Sequence, residues 1–93
     1  MTIQVANVPV DVLPLVADYV RSFGVDVLFG EGKLRGAVRC ISGCATFEHN
    51  GKGDRGGVLS VTVLRNEGHF SERMLRGGLR QLVEEVVEGV KVK

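Results

Sequence analysis

The sequence has no tryptophan, and its aromatic residues are few: Tyr19, Phe23, Phe29, Phe47 and Phe70. A core with so few rings must be aliphatic, drawn mainly from valine and leucine. Long apolar runs are also missing. No segment approaches the roughly 20 residues that span a bilayer, and Met1-Thr2-Ile3-Gln4-Val5 lacks the basic-then-apolar pattern of a secretory leader. Neither sign of charge dominates. Lys and Arg number 12 against 11 Asp and Glu, a net charge of +1, so bulk charge gives no support to a dedicated nucleic-acid binder. Cysteine is confined to Cys40 and Cys44. If the two share a strand, their Cα atoms stand about 13 Å apart, too far to bridge. They are expected to be free thiols in a reducing, cytoplasmic setting.

What remains is ordinary globular usage. Apolar residues make up 44% of the 93 positions, enough to offset chain entropy and exclude disorder. The length suits one α+β domain over residues 1–93 and leaves no room for two.

Thr2 to Ala6 reads as a strand, with Ile3 and Val5 on one face. Val12, Val16, Tyr19, Val20 and Phe23 recur at helical steps, with Asp11 as N-cap, Pro14 in the first turn and Gly24 as the stop. Val25 to Phe29 is a second strand, and Gly30-Glu31-Gly32-Lys33 a hairpin turn. From Leu34 to His49 the alternation changes phase around Ser42-Gly43, which predicts one long strand with a bulge there. Val58 to Arg65 alternates cleanly, with Leu59, Val61 and Val63 inward. Ser71 then caps a helix to about Gly89, whose stripe is Leu75, Leu79, Leu82, Val83, Val86 and Val90. The order is β-α-β-β-β-α. It predicts a four-stranded, mostly antiparallel sheet with two helices on one face and the first two strands parallel.

Residues able to carry chemistry are sparse. Cys40, Cys44, His49 and His69 lack zinc-ligand spacing, no carboxylate pair stands out, and no cofactor motif is present. The glycine-rich stretch Asn50 to Gly57 has no Walker ending and precedes a strand, so it reads as a hairpin loop carrying Lys52 and Arg55. Arg65, Arg73, Arg76 and Arg80 could form a basic cluster, the last three sharing one helix face, which Glu67, Glu72 and Glu84 can neutralise. Gly77-Gly78 inside the last helix costs about 1–2 kcal/mol against alanine, so close packing or a groove should offset it.

The expected function is a small non-enzymatic binding or assembly module, a homodimer or a partner of another protein, with no metal, cofactor or membrane involved. A nucleic-acid-binding domain using Lys52, Arg55, Arg73, Arg76 and Arg80 is the first alternative. The second is a small-molecule binder with a pocket between helix and sheet near Gly78, lined by Phe70, Met74 and Cys44.

Overall fold

A computed structural model describes residues 1–53 and 57–92. Among the described residues the chain forms five strands and two α-helices: β1 Thr2–Ala6, α1 Leu13–Arg21, β2 Asp26–Phe29, β3 Arg35–Cys40, β4 Gly43–His49, β5 Val58–Asn66 and α2 Glu72–Val92. The strands form one antiparallel sheet in the order β1-β5-β4-β3-β2. The α+β class and the two helices on one face therefore stand, but the sheet has five strands instead of four.

The extra strand comes from the Leu34–His49 stretch. Its inward set is Val38 and Cys40, then Gly43, Ala45 and Phe47. A one-residue bulge and a two-residue turn both change that parity, and the sequence pattern alone does not separate them. The chain turns at Ile41-Ser42, bringing Cys40 opposite Gly43. Two glycines permit this tight pairing. A Cβ on Gly36 would overlap the Leu28 carbonyl and the Phe47 ring, and one on Gly43 would overlap the Arg65 carbonyl. The bulge lies further on, between Cys44 and Ala45, where Leu64 is the extra residue of β5. Cys40 and Cys44 thus sit on neighbouring strands as free thiols, and the same-strand geometry expected for them does not hold.

β1 and β2 point the same way, as expected, but lie on opposite edges of the sheet. The chain between them crosses the sheet's inner face as a short 3₁₀ turn, Val10–Val12, and then α1. Asp11 lies inside that turn, so it does not cap α1; Val12 holds the N-cap position with no side-chain bond. Ser71 does cap α2, accepting a hydrogen bond from the Met74 amide at 3.2 Å. The helix passes through Gly89 to Val92.

The core is aliphatic. Val5, Val8, Val12, Leu13, Val16, Leu59 and Val83 are all buried together. It gathers at one end of the sheet, where the C-terminal half of α2 meets β1 and α1. The Tyr19 hydroxyl joins the two helices by donating to Glu85 Oε2 at 2.9 Å. That bond, and the Glu85 charge, hold the phenol above its ordinary pKa.

Candidate ligand-binding cavity

The two halves of α2 are seated differently. Val83 in the second half is buried, and Leu82, Val86 and Val87 pack against the core. In the first half only Leu75 and Leu79 turn inward, while Met74, Gly77 and Gly78 are exposed. Below this half the floor is made of small residues: Cys40, Gly43 and Ala45 on the sheet, with Ala17 contributed by α1. Small side chains beneath a raised helix leave space that packing does not fill.

That space is a cavity of about 340 Å³. Its inner end is lined by Ile3, Leu13, Val16, Leu59 and Val61. Phe29 and Phe47 form a side wall, edge to face with ring centroids 5.5 Å apart. The mouth lies between the β3–β4 turn and the start of α2, where Ser42, Arg65, Asn66 and Phe70 contribute. Phe70 stands 45% exposed there.

The mouth is held in shape by local bonds. The Glu67 amide donates to the Ser42 carbonyl at 2.8 Å, tying the β3–β4 turn to the loop after β5. Asn66 brackets Phe70: its side-chain amide donates to the Phe70 carbonyl at 2.8 Å, and its Oδ1 accepts from the Phe70 amide at 3.2 Å. Arg65 Nη1 donates to Glu67 Oε1 at 2.9 Å, and Nη2 reaches the Cys40 carbonyl at 3.4 Å. The Glu67 carboxylate, and after it the Cys44 sulfur, raise the guanidinium pKa still further.

A second hollow lies on the other face of the sheet, over Leu28, Ala37, Thr46 and Leu64, with Arg21, Asp26 and Arg39 around it. It is broad at about 810 Å³, and its lining includes Arg21 at the end of α1 together with Gly24 and Val25. Its almost wholly apolar lining, rather than its volume, makes the first cavity the candidate site.

The residues singled out from the sequence fall in different places. Phe70 and Cys44 line the cavity, but Met74 and Gly78 do not. A Cβ on Gly77 or Gly78 would meet nothing within 4 Å, so neither glycine serves close packing within the chain. Lys52 lies in the loop before β5, while Arg73, Arg76 and Arg80 lie on the exposed side of α2, which starts beyond the other end of β5. Nine extended residues of β5 separate those ends by about 27 Å, so loop and helix N-terminus do not form one basic patch. Arg55 lies outside the described residues. Arg76 pairs with Glu72 at 3.2 Å. His69 is a loop residue in the left-handed region, with φ of 53°. His49 is buried, its ring bonded on both sides to the chain.

The sequence grouped Arg65 with the helix arginines and offered Glu67 as a partner; that pair forms at 2.9 Å, but beside the cavity, and the inner apolar wall was missed as the wall of a site. The only hint was the run of small residues from Gly43 to Ala45 on a strand otherwise rich in large ones. No protein-family model, curated protein or solved structure matches this chain. Among the described residues no cluster of side chains is suited to holding a metal ion, and no helix is long and apolar enough to cross a membrane.

Proposed function

We propose that this protein is a binding module for a small apolar molecule, held between the first half of α2 and the sheet. The observation that carries this reading is the 340 Å³ cavity with an aliphatic and aromatic lining. Its volume falls at the lower end of the range that ligand pockets occupy, about 300–1,000 Å³. Burial of apolar ligand surface supplies the affinity, at about 25 cal/mol per Å² removed from water.

Titration with Nile red, a neutral apolar dye, tests the reading directly. Saturable binding of one dye per chain is expected. Ala45 forms part of the cavity floor and is 8% exposed, so Ala45→Leu extends into the space and abolishes binding while the circular dichroism spectrum is kept. A flat titration of the unmodified chain overturns the proposal.

Pairing of two copies along α2 is a second reading, and one observation favours it. Met74 is 61% exposed next to Gly77 and Gly78, which have open space above them. Glycines on an exposed helix face let another helix approach closely. Light scattering after size exclusion would show a dimer that Gly77→Leu dissociates. A monomer at high concentration removes this reading and leaves the cavity untouched.

A further inference from the structure

We infer that the cavity mouth seats on the surface of an anionic lipid bilayer, and that the apolar ligand enters from there. The ligand's route rests on the cavity being a ligand site; the seating itself is measured without ligand. Contact of this kind needs no spanning helix, and none is present among the described residues. The expectation of no membrane rested on that absence alone.

Exposed apolar side chains gather at this opening. Ile41 begins the β3–β4 turn and is 93% exposed. The Glu67 amide, bonded to the Ser42 carbonyl, holds that turn against the loop that ends in Phe70. The Phe70 ring lies over Gly68, where a Cβ would overlap it, and its other side is open to solvent. Met74 follows on the first turn of α2, exposed, its amide fixed by Ser71. Single exposed apolar residues are ordinary on a protein surface. These three differ because their chain segments form the opening of a space whose walls are almost wholly apolar.

Charge along α2 points to the same end. The half that roofs the cavity exposes Arg73, Arg76 and Arg80 against Glu72 alone. From Leu82 to Val90 the helix exposes Glu84, Glu85 and Glu88 and carries no cation. The helix dipole favours the reverse order, acids in the first turns and bases in the last. Helix stability therefore does not account for this arrangement. Glu72 pairs with Arg76, while Arg73 and Arg80 make no ion pair with any described residue. Anionic headgroups supply the missing partners, and guanidinium groups match their phosphates and carboxylates well. With those contacts made, Ile41, Phe70 and Met74 enter the boundary between headgroups and acyl chains. Apolar molecules collect in bilayers because water excludes them. A mouth seated there passes one from lipid to cavity without a step through water.

Co-sedimentation with phosphatidylcholine vesicles containing about one-quarter phosphatidylserine tests the seating, beside vesicles of phosphatidylcholine alone. The chain should bind the anionic vesicles at low salt. Binding should be about tenfold weaker to the neutral vesicles, and about tenfold weaker in about 1 M salt, where the screening length falls to about 3 Å. Ile41→Asn alters only an exposed turn position and should weaken binding about tenfold. Arg73→Gln with Arg80→Gln should do the same. Both variants should still bind Nile red when no vesicles are present. Ala45→Leu should show the opposite pattern, losing the dye and keeping the vesicles. No binding by the unmodified chain, equal binding to both kinds of vesicle, or binding that neither mouth variant weakens overturns the inference, and the dye titration then decides the cavity separately. A dimer that Ile41→Asn dissociates, seen by light scattering without vesicles, gives this surface to a second copy and also overturns it. If the vesicles bind as expected but Nile red does not, the ligand's route falls with the cavity reading and the seating stands.

Discussion

Two hydrogen bonds leave the His49 ring in opposite directions. Nε2 reaches the Val8 carbonyl at 2.6 Å, and Nδ1 accepts from the Gly51 amide at 2.9 Å. One ring thus ties the loop after β4 to the chain after β1, 41 residues away. The Val8 amide completes the junction by donating to the Gly57 carbonyl at 3.0 Å. Both ring partners are backbone groups in a buried place, so removing the ring leaves an orphaned carbonyl and amide. His49→Ala should cost about 1–3 kcal/mol of unfolding free energy, read by urea denaturation. A loss below about 0.5 kcal/mol, the level of an ordinary surface change, would mean that water replaces the ring. At Gly57 the constraint is steric: a Cβ would overlap the Val8 carbonyl. Gly57→Ala should lower the urea midpoint without changing the slope, because the compactness of both states is unaffected. None of this was legible in the sequence. His49 has no apparent role until the fold brings Val8 beside it, and Gly57 looks like one more flexible loop residue.

At the scale of elements, the strands and helices were largely legible, because each buries one face and its spacing records which. The exceptions have a common cause. The Ile41-Ser42 turn was hidden because Cys40 and Gly43 lie on one face and continue a plausible strand pattern. The seating of α2 was hidden because the apolar stripe from Leu75 to Val86 is continuous, although Leu75 lies over the cavity while Leu79, Leu82 and Val86 pack against the core. The sequence placed a pocket near Gly78, lined by Phe70, Met74 and Cys44. Phe70 and Cys44 line the cavity, Met74 and Gly78 do not, and the glycines pack against nothing within the chain. With open space around both, Gly77 and Gly78 carry a propensity cost that nothing in the single chain offsets. Gly77→Ala with Gly78→Ala should stabilise the chain by about 1–2 kcal/mol, seen as a higher urea midpoint. If the pair instead lowers stability, and does so in proportion to dilution, the glycines serve contact with a second copy.

Taken as a whole, the molecule has one well-packed end and one loosely roofed end. Val5, Val8, Leu13, Leu59 and Val83 fill the first, and the Tyr19–Glu85 bond fastens the two helices there. At the second, the roof is the opening turns of α2, resting on Leu75 and Leu79 above a cavity and weakened by two glycines. Opening that end exposes little surface buried in the unliganded state, so its free energy should be well below that of global unfolding. Hydrogen exchange followed by mass spectrometry should find residues 74–80 exchanging much faster than residues 82–87 of the same helix. A bound apolar ligand bridges roof and floor, so Nile red should slow exchange over 74–80 and over the strand floor at 43–45, leaving 82–87 nearly unchanged. The same binding raises global stability by linkage, about 2.7 kcal/mol at one hundred times the dissociation constant. Ala45→Leu separates cause from coincidence. It should slow exchange over 74–80 without ligand, by filling the space, and remove any further slowing by the dye. Uniform protection along α2 in the unliganded chain would show that its first half is anchored as firmly as its second, leaving no opening through which a ligand enters.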